Sequence, residues 1–237
     1  MPHSGETIHN RLLLALPKRT LQRPKPFLQP VILKQGQPVD VPDGPVKHIY
    51  FVNRGFVSMV KIMKDGRAVE IGGVGIEGMT APTSLLGVPS AVFDTIVQIP
   101  GTAWRMDREQ LKREMQHDAV LQGFVERYSR FLLTEIAQTA ACNRLHTVEQ
   151  RCCRWLLVAH DNALADRFFL TQEFLEMMLG TQRSGVSLAA RMLKQAGLVK
   201  YSRGQVSVLD RKGLKEEACE CYQTCHDEMN LLYGSRR

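Results

Sequence analysis

The sequence predicts an α+β fold: an antiparallel β-barrel or sandwich, then a long helix, then a helical domain ending in a winged helix-turn-helix. Three observations predict it. Between Val31 and Met106, short runs rich in Val, Ile and Phe are separated by glycine and proline, with no helical stretch among them, a texture that antiparallel β-structure produces. From Asp118 to Arg144, apolar residues recur at near-heptad spacing, which a helix gathers onto one face. From Thr171 to Leu198, two short amphipathic patterns meet at a glycine, and two β-rich runs follow. A chain of 237 residues, 44% of them hydrophobic and 23% charged, is globular and long enough for one large or two medium domains.

Glu6 to Leu16 reads as a short amphipathic helix, followed by a proline-punctuated connector, Pro17 to Pro30. The expected strands include Ile49–Val52, Phe56–Ile62, Val69–Ile71 and Thr95–Ile99, with Asp65-Gly66 as a hairpin turn. Asp107 opens a short helix with Glu109 in its first turn. The long helix follows, and Leu121, Val125, Tyr128, Leu132, Ile136 and Thr139 form its apolar stripe. So long a stripe calls for a partner helix, and a second copy of the chain supplies one with two-fold symmetry; packing on its own β-domain is the alternative. A break at Leu145–Thr147 precedes another helix, Val148 to His160, and a polar loop, Asp161 to Arg167. The chain thus divides into 1–117, 118–146 and 147–237, and a last helix runs from Asp210 or Arg211 towards Leu232.

Thr171 is placed to cap the first short helix and Glu173 suits its dipole, with Phe174, Leu175, Met178 and Leu179 on the inner face. Gly180 ends that helix, and Thr181 or Gln182 caps the next. Val186, Ala189 or Ala190 and Leu193 face inward, leaving Arg183, Ser184, Ser187, Arg191 and Lys194 on the wet side. Such a face fits a DNA major groove, where the Arg fork matches the two acceptors of guanine. From Arg183 to Lys215 there are eight Lys or Arg against one acid, Asp210, a net +7 equal to the formal charge of the whole chain. The positive charge therefore sits with the helices. Leu198–Tyr201 and Gln205–Leu209, around Ser202-Arg203-Gly204, read as the wing. Glu176 stands where the helix crossing normally wants a small residue, so either it reaches out past the crossing or the helices cross at another angle.

These residues resemble the DNA-binding domain of the bacterial Crp/Fnr family, and the likeness extends from about Asn10 to Leu232. It implies a double-stranded β-helix, or jelly roll, of the cyclic-nucleotide-binding kind as sensor, a dimerisation helix, and a sequence-specific transcription regulator acting on double-stranded DNA as a homodimer. By matching positions, Arg183 and Ser184 contact base edges with Ser187 near them, while Thr171, Gln172 and Gln182 lie near phosphates and Arg191 shares the outer face. Ser184 stands where the best-known pattern has an acid, and Leu188 where it has an Arg, so the target site differs. The resemblance also admits a small-molecule effector and RNA polymerase as partners.

In cyclic-nucleotide sensors of this family, an acid takes the ribose hydroxyl and an Arg followed by Ser or Thr pairs with the phosphate. The corresponding stretch here, Gly75 to Val92, has no Arg, and Ala68 to Trp104 has no Lys, Arg or His. A buried phosphate would lack a cation. Cyclic AMP binding in the family's manner is therefore not expected; an apolar pocket with Thr80, Thr83 and Ser84 takes a neutral ligand or is filled by side chains. No cofactor is expected: all six cysteines (142, 152, 153, 219, 221, 225) lie beyond residue 141, unlike the family's N-terminal cluster ligands. Cys219, Cys221, Cys225 and His226 invite a metal or redox reading, but on one continuous helix Cys219 and Cys221 point apart, so the expectation is no metal and free structural thiols, with redox modulation through Cys221 or Cys225 as the alternative. The longest apolar run near the start, Leu12–Leu16, ends at Pro17-Lys18-Arg19, which argues against a signal peptide or membrane span and for the cytoplasm. No nucleophile elbow, phosphate loop or metal motif points to an enzyme. The rival class is a signalling or scaffold protein whose helical domain binds protein.

Overall fold

The computed structural model describes residues 7–202 and 204–233, and the side chain of Gln172 lies outside the description. Among the described residues, no helix is long and apolar enough to cross a membrane.

Helix α1 spans Arg11–Ala15, not the longer run from Glu6, which itself lies outside the described residues. Asn10 decides the start. Its side chain accepts from Leu13 N at 3.0 Å and donates to Val52 O and Gly78 O, so tertiary contacts fix the cap. The expected connector holds a second helix, α2 (Lys18–Gln22), and a single 3-10 turn, because Pro17 sits where a helix start tolerates a missing N–H.

The β-domain is antiparallel: β1 (Gln29–Leu33), β2 (Pro38–Asp40), β3 (His48–Ile62), β4 (Ala68–Val74) and β5 (Asp94–Asp107), ordered β1-β5-β3-β4 with β2 also on β5. The runs Ile49–Val52 and Phe56–Ile62 are two halves of β3. The register shifts between Val52 and Val57 bend the strand without ending it. Gly55, at φ +96°, is required there, since a Cβ would lie 2.5 Å from Ile99 O. The Asp65-Gly66 turn closes β3 onto β4 as expected, with Met63 N donating to Arg67 O at 2.8 Å. A short helix, α3 (Thr83–Leu86), lies between β4 and β5.

Asp107 Oδ1 caps α4 (Arg108–His117), and Asp118 caps α5 (Ala119–Leu145). At 27 residues, α5 is about 40 Å long. Its predicted stripe is not a free surface: Leu121, Val125, Tyr128, Leu132 and Thr139 are buried within the single chain, and only Ile136 of the six is partly open. Leu121, Val125 and Tyr128 pack with Phe51, Met79, Met106 and Leu111. A stripe defined by spacing cannot tell a partner helix from the chain's own β-domain.

Thr147 and Gln150 form a capping box at the start of α6 (Val148–Ala163), which runs three residues past the expected His160. What followed as a polar loop ends in a strand, β6 (Arg167–Phe169), which joins β7 (Val199–Ser202) and β8 (Gln205–Val208) in a three-stranded wing ordered β6-β8-β7. Arg203, at the wing turn, lies outside the described residues. The last helix is two: α9 (Arg211–Glu217) and α10 (Cys221–Tyr233), separated by extended backbone at Ala218. Cys219 and Cys221 are both buried there. One helix cannot aim residues i and i+2 inward together, so burial overrides helix propensity. Helix α10 then returns along α5, from Gln138 beside Cys221 to Arg11 and Glu77 beside Tyr233.

The two halves meet through specific bonds. Arg54 Nε donates to Ala163 O at 2.9 Å, Trp155 Nε1 to Glu70 Oε1 at 3.1 Å, and Ile76 N to Asn162 Oδ1 at 2.8 Å.

Candidate nucleic-acid interface and effector groove

Helix α7 (Gln172–Leu179) is capped by Thr171, whose hydroxyl accepts from Phe174 N at 3.3 Å. Leu175, Met178 and Leu179 are buried beneath it. At Gly180 the backbone turns left-handed, φ +53°, and a Cβ would stand 2.7 Å from Val69 Cγ2. The turn between the helices thus sits close against β4, where only glycine fits. The chain restarts at Gln182 and enters α8 (Arg183–Gln195).

Helix α8 separates its two faces cleanly. Val186, Ala189, Ala190 and Leu193 are buried, as the spacing predicts, while Arg183, Ser184, Arg191 and Lys194 are exposed and Ser187 is half-buried. The expected contact residues therefore share one open surface, with Gln182 exposed at its start and the half-buried Thr171 capping α7. Glu176 reaches out past the crossing: its Oε1 lies 3.9 Å from Arg183 Nε. The same surface carries Leu188, 51% exposed at the position where the family pattern has an Arg, and beside it a residue not expected there, Met192, 47% exposed. Its spacing of four residues from Leu188 was the available signal.

In the β-domain, a cavity of about 140 Å3 lies between α3, β5 and α5, lined by Asp40, Pro82, Thr83, Phe93, Leu132 and Ile136 among others. That is below the roughly 300–1,000 Å3 of ordinary ligand pockets. Of the three expected hydroxyls, only Thr83 lines it. Thr80 is committed to accepting from Tyr50 N at 3.1 Å, and Ser84 donates to Ala81 O at 2.7 Å. Among the described residues the lining includes no Lys, Arg or His; its one charged group is Asp40, whose carboxyl burial pushes up. A cation does lie close by in the fold: buried Arg108, just after β5, donates from Nε to Ser84 O at 2.9 Å. It is held by α3 and does not line the cavity. Glu77, the acid of the Gly75–Ile76–Glu77 stretch, turns away as well, accepting from Gly75 N at 2.6 Å and lining a separate cavity of about 190 Å3 with Arg11 and Asp161.

Residues 30–118 match the family described as the cyclic nucleotide-binding domain. Residues 150–217 match the Crp-like helix-turn-helix domain. The transcriptional regulator SdrP of Thermus thermophilus is 28% identical over 191 residues, covering 79% of this chain and 90% of that protein. Among solved structures, FixK2 from Bradyrhizobium japonicum superposes with a TM-score of 0.68 at 18% identity, over 81% of this chain and 98% of that one. CLP of Xanthomonas campestris, a c-di-GMP responsive global regulator, does so with a TM-score of 0.65 at 16% identity, over 82% and 100%. With a nucleotide-binding-like β-domain, a long helix and a Crp-like helix-turn-helix following in that order, the chain belongs to the Crp/Fnr family and is a transcriptional regulator with a helix-turn-helix DNA-binding domain.

Proposed function

We propose that the chain binds a two-fold symmetric duplex site as a homodimer, and that cyclic AMP is not its controlling ligand. The carrying observation is the outer face of α8, on which Arg183, Ser184, Ser187, Leu188 and Arg191 stand together opposite four buried apolar residues. In the major groove, Arg183 reads guanine, Ser184 and Ser187 accept or donate to neighbouring edges, and Leu188 meets a thymine methyl. Gln182, Thr171 and Gln172 are the phosphate contacts that set register, and the basic residues through Lys215 add sequence-independent attraction.

The dimer forms through α5, by a face other than the buried stripe. Leu133 is 67% exposed, and with the exposed Ala137 and Ala140 it makes a ridge at helical spacing, flanked by half-buried Ile136. Small residues allow two such helices a close approach. In this reading, residues 1–117 sense, 118–146 dimerise and 147–237 bind DNA, in the cytoplasm, with RNA polymerase as a further partner and no catalysed reaction. The case against cyclic AMP rests on the cavity beside α3, whose lining offers an acid and no cation for a phosphate.

The test is selection of tight-binding duplexes from a random library with purified protein, at about physiological salt and without nucleotide. The expected result is an enriched site with two half-sites about one helical turn apart, unchanged when cyclic AMP is added. Enrichment that requires cyclic AMP refutes the second half of the reading, and an asymmetric single site refutes the first.

A further inference from the structure

The break between α9 and α10 brings together residues far apart in sequence. Cys142 and His146 lie four residues apart at the C-terminal end of α5, where helical geometry puts them on one face. Cys219 and Cys221 flank the break and meet them. Cys142 Sγ lies 3.5 Å from Cys219 Sγ, and Cys221 Sγ lies 3.6 Å from His146 Nδ1. All four donor atoms lie within 4.8 Å of one another. A tetrahedral ion with metal–sulfur bonds near 2.3 Å and metal–nitrogen bonds near 2.0–2.1 Å requires edges of about 3.8 Å between sulfurs and about 3.6 Å between sulfur and nitrogen. The spacing is that of a single ion; a cluster of several irons spreads its cysteines more widely.

We propose that Cys142, His146, Cys219 and Cys221 bind one zinc-class divalent ion. The reason for expecting no metal was a continuous helix from Arg211, and that helix is interrupted at Ala218. Three thiolates and one imidazole are the donor set of a closed structural zinc site. The groups around the four ligands fit the same role. His146 turns its other nitrogen, Nε2, to the Glu220 carboxylate at 3.2 Å, the outer partner that fixes a metal-bound imidazole. Gln138 Nε2 donates to Cys221 Sγ at 3.0 Å. Each thiol enters as thiolate and releases its proton to solvent, and the resulting unit, one divalent ion with three thiolates, carries one negative charge. Arg154, hydrogen-bonded to Thr139 Oγ1 at 3.0 Å, and Arg151, bonded to Asn143 O at 3.3 Å, stand beside it to balance that charge.

The location gives the ion a task. His146 and Thr147 link α5 to α6, where the helical half of the chain begins, and the ion ties the last turn of α5 to the α9–α10 junction beside that link. Binding the ion holds that link in one geometry. Cys225 and His226, which belong to the same sequence cluster, point elsewhere: Cys225 towards Arg154 and His226 to Asn230.

The experiment uses the full, untagged chain, reduced and stripped with chelator, then titrated anaerobically with Co2+ and Zn2+. The expected result is one Co2+ per chain, with the intense visible bands of tetrahedral thiolate coordination, displaced by Zn2+, and slower modification of Cys142, Cys219 and Cys221 with metal than without it. Cys142→Ser or Cys219→Ser abolishes those bands, Cys152→Ser and Cys225→Ser keep them, and Glu220→Gln weakens binding by about 10- to 100-fold. Should the ligand variants fail to fold, the wild-type titration and Glu220→Gln still decide. Absence of a stoichiometric ion or a six-coordinate spectrum overturns the proposal.

Discussion

Arg183 is the residue on which base reading turns. Its side chain is 78% exposed and its contact with Glu176 is 3.9 Å, loose and open to solvent. Exposed ion pairs of this kind contribute about 0–1 kcal/mol, whereas a bidentate Arg–guanine pair discriminates by about 1–3 kcal/mol. The guanine contact wins, and Glu176 leaves Arg183 free to be taken by a base. Arg183→Ala is therefore expected to cost about 1–3 kcal/mol and to relax preference at one base pair per half-site. Binding isotherms on sequence variants check this; an equal loss on every sequence would assign Arg183 to phosphate alone. The inner and outer residues of α8 were legible in the sequence because a single period sorts them. The openness of Leu188 was readable as well, but its use depends on what lies opposite.

At the scale of elements, α5 is the one whose surroundings differ from its pattern. The stripe through Leu121, Val125 and Tyr128 closes the β-domain's own core, and α10 returns along a neighbouring face. The ridge left is short and made of small residues around Leu133. A charge on it removes apolar contact and adds like-charge repulsion across a two-fold axis, while the monomer's core is untouched. Leu133→Arg is expected to convert dimer to monomer in sedimentation equilibrium with little change in melting temperature. If Leu133→Arg remains a dimer, the interface lies elsewhere. Heptad spacing announced that α5 needed cover on one side, and the β-domain, standing earlier in the chain, supplies it.

Across the whole molecule, the junction between the halves holds carboxyl groups away from water. Glu70 accepts from Ser58 and Trp155 and is raised to about 7, chiefly by burial. Glu135, on α5, is raised from 4.5 to about 8, first by burial and then by nearby Glu77, and its Oε2 is enclosed without a partner. A carboxyl whose folded pKa exceeds its unfolded value favours the folded state at low pH, and that contribution disappears as pH rises through the folded value. For Glu135 the loss runs from 4.5 to about 8. Glu135→Gln should raise the melting temperature above that of the wild type at about pH 9, with the gain shrinking towards pH 5. Circular-dichroism melts at both values check it, and a gain independent of pH would mean the effect is one of packing.

By itself the sequence determined the order of the parts, the helix-turn-helix with its inner and outer faces, the Asp65-Gly66 hairpin, and the caps at Asp107 and Thr171. These follow from local rules: a period of two or 3.6, a cap within three residues, a glycine where φ is positive. The tertiary structure alone decided what depends on distant partners. It joined two runs into β3 through bulges, added β6 to the wing, gave the α5 stripe to the β-domain, and tied Thr80 to Tyr50. It also broke the last helix, because Cys219 and Cys221 are both drawn inward towards Cys142 and His146, more than seventy residues earlier. No pattern within one segment encodes a contact of that range; only the packed chain brings the four groups to one point.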